Sequence, residues 1–216
     1  MPGVERPRPL DGRRLYLCTA DRPDLAGFLA ACLRGGVDVV QLRDKHLDAR
    51  PLLDRAREAI AVCHDFGVPF ILNDRPDLAS ACEADGVHVG QDDTPPAVAR
   101  RILGPDSIIG LSTHAPAEWD AAAGEPVDYL SAGPVNATPT KPGRPGTGIE
   151  YLSYVSAAEP GASLPWFVTG GATPESIPAM IAAGARRFVV VRYLTESPDP
   201  EAAAQRLRAA IDPAWG

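Results

Sequence analysis

The stretch PFILNDRPDLASACEADGVHV, residues 69–89, contains the repeating unit that decides the fold. An apolar run at Pro69–Leu72 is followed by a helical pattern at Pro76–Cys82, and a second apolar run follows at Gly86–Val89. A strand, a helix and another strand in this order predict two parallel strands joined by a helical crossover. The sequence on either side repeats this unit, which indicates the α/β class.

Eight strand–helix pairs are predicted along the 216 residues. The predicted strands are Leu15–Thr19, Val37–Leu42, Pro69–Leu72, Gly86–Val89, Ile108–Leu111, Tyr129–Ala132, Trp166–Val168 and Phe188–Val191. The predicted helices are Asp24–Arg34, Ala49–Phe66, Pro76–Cys82, Pro95–Leu103, Ala115–Ala123, Ile149–Ala158, Pro174–Ala183 and Pro200–Ile211. This alternation predicts a single (β/α)8 TIM barrel over residues 14–216, preceded by a Pro- and Arg-rich tail at residues 1–13.

A doubly wound open sheet is the alternative α/β fold. Such a sheet usually carries a glycine-rich phosphate loop after its first strand. Here the first strand is followed by residues 19–23, TADRP, and neither a G-x-G-x-x-G nor a G-x-x-x-x-G-K-[ST] motif is present. The barrel is therefore favoured.

Composition and charge argue against several classes of function. The formal net charge is −7 and the basic residues are scattered, which argues against a nucleic-acid-binding surface. No apolar run approaches the roughly 18 residues of a membrane span, and the N-terminal segment lacks the apolar core of a secretion signal. Cys18, Cys32, Cys63 and Cys82 lie singly in apolar segments, which predicts buried free thiols in the cytoplasm.

Catalytic groups of such a barrel come from the C-terminal ends of several strands. The second predicted strand runs into Gln41, Leu42, Arg43, Asp44 and Lys45. Because side chains alternate along a strand, Gln41, Arg43 and Lys45 are predicted to share the face at the barrel mouth, with Leu42 on the other face. An amide and two cations are suited to bind an anion that is attached to a polar heterocycle. The alternative is that these residues form a charged turn exposed to solvent.

Carboxylates end the next two strands. Asn73 and Asp74 end the third strand, and Asp92 and Asp93 follow the fourth. Neighbouring parallel strands bring such side chains together, and Mg²⁺ binds one or two carboxylates together with substrate phosphates and water. Asp74 with Asp93 fits this pattern, Asp92 competes with Asp93, and helix capping is the alternative role for each.

The fifth strand brings polar side chains to the same end of the barrel. Ser112 and His114 are predicted to share one face, and the Ser112 hydroxyl suits a phosphate oxygen. No acid is placed to complete a Ser-His-Asp triad, so a nucleophilic serine is not expected. His88 in the fourth strand is predicted to point into the barrel as a hydrogen-bonded core residue.

The opposite side of the rim is predicted to bind a second phosphate. Residues 133–148 form a long loop after the sixth strand, with Thr138, Thr140 and Lys141 suited to grip an anion. Gly170-Gly171 follows the seventh strand, where backbone N–H groups can approach a phosphate closely. Two phosphorylated substrates are therefore expected to meet across the mouth.

In this order the motifs resemble those of the thiamine-phosphate synthase family. The resemblance runs from the second strand to the eighth, and six motifs in register are far more specific than any one of them. The motifs are Gln41-Leu42-Arg43-Asp44-Lys45, Asn73-Asp74, Gly86-Val87-His88-Val89-Gly90-Gln91, Gly110-Leu111-Ser112, Thr138-Pro139-Thr140-Lys141 and Gly170-Gly171.

The resemblance implies an enzyme that joins 4-amino-2-methyl-5-(diphosphooxymethyl)pyrimidine to a thiazole phosphate, giving thiamine phosphate and pyrophosphate. It implies a pyrimidine diphosphate site made by Gln41, Leu42, Arg43, Asp44, Lys45, Asn73, Ser112 and Lys141. It implies a thiazole phosphate site made by Thr138, Pro139, Thr140, Gly171, Val191 and Arg192. It also implies that Asp74 and Asp93 bind Mg²⁺, and that Arg43, Lys45 and Lys141 stabilise the departing pyrophosphate.

Two positions depart from the family pattern. Many relatives have an aromatic residue and proline where this chain has Asn136-Ala137, and many have serine where it has Arg192. The first change affects the shape of the loop and the packing around the ring. The second either strengthens phosphate binding or turns the side chain outward into an ion pair.

Two other functions stay open at this point. A thiazole tautomerase on the same barrel needs an acid–base pair but no diphosphate site, and a non-catalytic phosphate-binding barrel needs no paired carboxylates. The presence together of Asn73, Asp74, Asp93 and Lys141 favours the synthase. The sequence does not predict an oligomeric state.

Overall fold

Eight parallel strands form a closed barrel in the computed structural model, which describes residues 10–137, 145–158 and 164–215. The strands are β1 (Leu15–Thr19), β2 (Val39–Leu42), β3 (Phe70–Asn73), β4 (Gly86–Val89), β5 (Ile108–Thr113), β6 (Tyr129–Ala132), β7 (Trp166–Val168) and β8 (Phe188–Val190). Each strand pairs with its neighbours in chain order, and β1 also pairs with β8, which closes the sheet. The predicted TIM barrel is confirmed.

Helices cover the outside of the barrel. They are α1 (Leu25–Arg34), α2 (Ala49–Asp65), α3 (Pro76–Cys82), α4 (Pro96–Leu103), α5 (Pro116–Ala122), α6 (Gly148–Ala157), α7 (Ile177–Ala182), α8 (Arg192–Thr195) and α9 (Pro200–Ile211), followed by a 3₁₀ turn at Asp212–Trp215. The sequence pattern did not predict α8, and α7 begins later than predicted because residues 174–176 form a turn. Within the described ranges, no helix is long and apolar enough to cross a bilayer.

Alternation along the strands divides the apolar side chains between two layers. One layer lies between the barrel and its helices and includes Leu42, Leu72 and Val89. The other fills the lower part of the barrel interior, at the N-terminal ends of the strands, and consists of Leu10, Tyr16, Val39, Ile71, Ile108, Tyr129 and Phe167. Because this end is filled with side chains in the described part of the chain, the open end of the barrel lies at the C-terminal ends of the strands.

One residue of the predicted N-terminal tail packs in the core. Leu10 belongs to the predicted tail, yet it is 1% exposed and packs inside the barrel. Residues 1–9 lie outside the described ranges. Residue 10, four positions before the predicted start of the barrel at residue 14, is therefore already part of the packed core.

The four cysteines are buried and free, as the sequence predicted. Burial raises the pKa of the Cys32 thiol to about 12, against the lowering effect of Arg22. Burial and the Asp85 carboxylate raise the pKa of the Cys63 thiol to about 12. Both thiols are therefore protonated and packed as apolar groups.

Candidate active site

A cavity of about 680 Å³ opens at the C-terminal ends of the strands. This volume lies in the range of about 300–1,000 Å³ that is usual for small-molecule sites. Ten of the predicted site residues line it: Gln41, Arg43, Lys45, Asn73, Asp74, Asp93, Ser112, Gly171, Val191 and Arg192. Residues that were predicted independently at the ends of six strands therefore surround one cavity.

The other six predicted site residues divide into four that lie outside the described ranges and two described ones, Leu42 and Asp44, that do not line the cavity. Thr138, Pro139, Thr140 and Lys141 lie outside the described residues. Leu42 is 1% exposed and packs between the barrel and the helices, on the face that alternation predicted. Asp44 lies at the start of the β2–α2 loop, where its carboxylate accepts hydrogen bonds from the backbone N–H groups of His46 at 2.9 Å and Leu47 at 3.1 Å. The Asp44 side chain therefore orders this loop.

The carboxylate pair predicted from neighbouring strands is present. Asp93 lies within hydrogen-bonding reach of Asp74, and its Oδ2 accepts a hydrogen bond from the Gly90 N–H at 2.8 Å. Neither carboxylate caps a helix, because the N-cap positions of α3 and α4 are Arg75 and Pro95 and neither helix has a side-chain cap. The capping alternative is therefore wrong. Asp93 is the carboxylate found beside Asp74, and Asp92 also lines the cavity.

The electrostatics of Asp74 are those of a crowded, half-buried carboxylate. Lys45 Nζ lies 2.9 Å from Asp74 Oδ2. Burial raises the pKa of Asp74, the Lys45 ammonium lowers it and the adjacent Asp93 carboxyl raises it, with a raised pKa as the net result. Two carboxylates this close favour either a shared proton or a cation between them.

A buried row of polar side chains forms part of the cavity lining. Gln41 Nε2 donates to the Tyr16 hydroxyl at 2.8 Å, and the Tyr16 and Tyr129 hydroxyls are 2.9 Å apart. The Tyr129 hydroxyl lies 2.9 Å from His88 Nδ1, and His88 Nε2 lies 2.8 Å from Ser112 Oγ. The prediction that His88 is a hydrogen-bonded core residue is confirmed. The roles of Tyr16 and Tyr129 were not predicted, because only the closed barrel brings them together.

His114 lines the cavity next to the end of β5. Its Nδ1 lies 2.9 Å from Glu118 Oε2, and its backbone N–H donates to the same oxygen at 2.8 Å. Ser112 is bonded to His88 and not to this pair. The described residues therefore supply no Ser-His-acid triad, although the four-residue spacing of His114 and Glu118 could have indicated their contact.

The opposite wall of the cavity is built from β7, β8 and the short helix α8. Gly170 and Gly171 have positive φ angles of 94° and 89°, which turn the backbone sharply at the end of β7. Asn136, one of the departures from the family pattern, donates through Nδ2 to the Gly170 carbonyl at 3.3 Å. Arg192 is exposed at the cavity and forms no ion pair with any residue in the described ranges. The outward ion pair considered for Arg192 is therefore not found there.

Known proteins with related sequences share one activity in their names. The family model described as thiamine monophosphate synthase matches residues 15–194. The thiamine-phosphate synthase of Thermobifida fusca is 52% identical over an alignment of 204 positions, which covers 92% of each chain. The thiamine-phosphate synthase of Mycobacterium tuberculosis is 48% identical over an alignment of 216 positions, which covers 94% of this chain and 96% of that one.

Solved structures agree with the sequence comparisons. Thiamine phosphate pyrophosphorylase from Pyrococcus furiosus has a TM-score of 0.83 and 27% sequence identity, over 94% of this chain and 98% of that one. A 3-hexulose-6-phosphate synthase has a TM-score of 0.66 and 21% identity over 92% of this chain and 99% of that one, which shows the fold alone. By the match of its sequence over most of its length, the chain belongs to the thiamine monophosphate synthase family.

Proposed function

We propose that this chain condenses 4-amino-2-methyl-5-(diphosphooxymethyl)pyrimidine with a thiazole phosphate, giving thiamine phosphate and pyrophosphate. The observation that carries the proposal is a single cavity with two different walls. One wall has Arg43, Lys45 and the paired carboxylates, and the other has Gly171 and Arg192. Two anionic substrates need two such walls, and the names of the relatives support the same reaction.

We assign the paired carboxylates to Mg²⁺. Asp74 and Asp93 offer adjacent oxygen donors, which suit this ion. Within the described residues no three His, Cys, Asp or Glu side chains cluster around one point, so phosphate oxygens and water would complete the coordination. When bound, Mg²⁺ neutralises charge on the leaving pyrophosphate.

The cationic wall assists departure of the leaving group. In the reaction the bond between the methylene carbon and the diphosphate oxygen breaks, and a bond from the thiazole nitrogen to that carbon forms. Negative charge grows on the pyrophosphate as the first bond breaks, so Arg43 and Lys45 stabilise the transition state more than the bound substrate. Lys141 shares this assignment and lies outside the described residues.

No group of the protein needs to attack the substrate. The pyrimidine amino group can feed electrons toward the methylene carbon, which then accepts the thiazole nitrogen directly. The task of the cavity is to hold the two substrates with these atoms facing each other and to exclude competing water. This agrees with a Ser112 hydroxyl that is bonded to His88 and belongs to no catalytic triad among the described residues.

The thiazole phosphate is assigned to the wall formed by β7, β8 and α8. The bend at Gly171 lets backbone N–H groups approach an anion closely. Arg192 adds a guanidinium, whose fork of N–H donors matches phosphate oxygens. Thr138, Pro139 and Thr140 belong to the same assignment and lie outside the described residues.

We place the reaction in the cytoplasm. The support is the set of four buried free cysteines, which suits a reducing compartment. The expected partners are the two small phosphorylated substrates, without nucleic acid or membrane. The scattered basic residues support the absence of a nucleic-acid partner.

The test is to mix the purified chain with both substrates and Mg²⁺ and to measure pyrophosphate and thiamine phosphate in equal amounts. Omission of the thiazole phosphate should leave both products absent, and chelation of the metal should lower both rates together. Conversion of one thiazole phosphate tautomer into the other without pyrophosphate release would contradict the proposal and favour a tautomerase.

A further inference from the structure

The buried polar row that lines the cavity runs from one side of the barrel interior to the other. It connects Gln41 on β2, Tyr16 on β1, Tyr129 on β6, His88 on β4 and Ser112 on β5 through four contacts of 2.8–2.9 Å. Tyr129 is fully buried, and the side chains of the other four residues are 1–9% exposed. We call these five residues the interior hydrogen-bond chain.

The Gln41 amide sets the direction of this chain. Cys18 Sγ donates to Gln41 Oε1 at 3.3 Å, so the amide nitrogen faces Tyr16. An amide nitrogen only donates, and the Tyr16 hydroxyl must therefore accept from Gln41 and give its own proton to Tyr129. Tyr129 in turn accepts from Tyr16 and donates to His88 Nδ1.

The same direction fixes the protonation of His88. Its Nδ1 accepts the Tyr129 proton, so the ring is neutral and carries its hydrogen on Nε2. Nε2 then donates to Ser112 Oγ, which accepts. A hydrogen on His88 Nδ1 would donate to the Tyr129 oxygen, and the two contacts of Tyr129 could then use only one of the two tyrosine protons, which is unfavourable for buried hydroxyl groups.

The backbone is shaped to permit this contact. His88, Gly110 and Tyr129 are register partners on the neighbouring strands β4, β5 and β6. A Cβ atom at Gly110 would overlap both the Tyr129 ring and His88 Nδ1. The glycine therefore leaves the space in which Tyr129 reaches across β5 to His88.

We propose that Tyr129 and His88 are positioning residues, which orient the Ser112 hydroxyl so that its proton points into the cavity toward an acceptor atom of the pyrimidine diphosphate. The identity of the ligand rests on the proposed function. The orientation itself rests on the hydrogen-bond chain alone. Ser112 lines the cavity, so a ligand can accept this proton directly.

The orientation is tested first without substrate. The ¹⁵N and ¹H shifts of the His88 ring, assigned with a His88→Gln variant, report which nitrogen carries hydrogen. The expected result for the unaltered chain is hydrogen on Nε2 only, and in Tyr129→Phe the Nδ1 signal shifts because its hydrogen bond is lost. Hydrogen on Nδ1 in the unaltered chain would overturn the proposal whatever the enzyme's activity.

The consequence for substrate is tested by kinetics. Tyr129→Phe should raise KM for the pyrimidine diphosphate about 3- to 10-fold, as expected for one weakened hydrogen bond, and leave KM for the thiazole phosphate unchanged. In a Ser112→Ala background the same substitution should have no further effect, because the positioned hydroxyl is already gone. If Tyr129→Phe raised KM for the pyrimidine diphosphate by the same factor in both backgrounds, Tyr129 would have a merely structural role and the proposal would be overturned.

Tyr151→Phe is the matched control. Tyr151 is also buried, and its hydroxyl donates at 2.8 Å to a β5 hydroxyl, that of Thr113, which does not line the cavity. Removal of this hydroxyl should match Tyr129→Phe in its effect on folding but leave both KM values and the His88 shifts unchanged. A KM change of the same size in the control would overturn the proposal.

Discussion

Asp74 is held in a backbone conformation that few side chains adopt, with φ at 60°. Its N–H donates to the His88 carbonyl at 2.9 Å, which continues the pairing of β3 with β4 beyond the end of the strand. The turn presents the carboxylate to Asp93 and Lys45 inside the cavity. Strain of this kind persists where the surrounding structure enforces it and is common at functional sites.

Asp74→Asn should separate activity from stability. We expect turnover to fall by about 10²-fold or more, because under the proposed Mg²⁺ assignment one of two carboxylates is lost and the charge on the leaving pyrophosphate is neutralised less well. The melting temperature in metal-free buffer should stay equal or rise, since one of two crowded carboxylates is removed. The measurements are pyrophosphate release and thermal unfolding, with Asp92→Asn, an exposed cavity carboxylate, as the control. Near-normal turnover of Asp74→Asn in Mg²⁺ would count against the metal assignment.

Lys45 should compete with a divalent cation in the substrate-free protein. Its ammonium lies 2.9 Å from Asp74 and is half exposed, so the ion pair is weak. We expect Lys45→Met to bind Mn²⁺ about 2- to 5-fold more tightly without substrate, and to release pyrophosphate more slowly with both substrates. Titration by electron paramagnetic resonance measures the first effect, and Lys45→Arg, which keeps the charge, is the control. Weaker Mn²⁺ binding in Lys45→Met would show that the ammonium supports the site.

At the scale of single residues, local rules predicted many of the residues that line the cavity. Alternation along β2 correctly separated Gln41 and Arg43, which line the cavity, from Leu42, which does not. The contact between Tyr16 and Tyr129 joins residues 113 positions apart, and no local pattern carries that information. The sequence therefore predicted residues near strand ends and missed those that depend on closure of the barrel.

At the scale of elements, the periodic segments were predicted best. β1, β4, β6 and β7 have the predicted limits, because each is a short β-rich run with clear ends. The short helix α8 was missed, since four residues are too few to show a helical period. The start of α7 was placed too early because residues 174–176 form a turn that the proline at 174 does not distinguish from a helix.

Gly110→Ala tests the packing of β5 against its neighbours. The new methyl group would overlap Tyr129 and His88, and overpacking of this kind costs about 1–3 kcal/mol. We expect a lower melting temperature and a higher KM for the pyrimidine diphosphate. Gly27→Ala, in α1 with no atom within 4 Å of the new group, is the matched control and should stabilise the protein slightly. Equal stability of the two variants would show that the β4–β6 layer can rearrange.

At the scale of the whole molecule, eight repeats of one unit were sufficient to predict the barrel. Closure explains why residues from distant segments line one cavity, since the C-terminal ends of all eight strands meet at the same rim. What the repeats did not predict is how the interior is filled. Leu10 lies outside every predicted element, yet it closes the N-terminal end of the barrel with Tyr16 and Ile108.

The thiol and phenol groups buried in the core should make the folded protein less stable at alkaline pH. Burial raises the pKa of Cys32 and Cys63 from 9.0, and that of Tyr151 from 10.0, to about 12. A group whose pKa is raised by folding stabilises the native state fully below its unfolded pKa, and this stabilisation is lost as the pH rises toward the folded pKa. The melting temperature should therefore fall steadily from about pH 9 toward pH 12.

Thiol labelling checks the same burial by a second measurement. At pH 8 a thiol reagent should label fewer than four cysteines in the folded chain, and all four in guanidinium. Rapid labelling of all four in the folded chain, or a melting temperature that is constant to pH 11, would contradict the buried, protonated state of these groups.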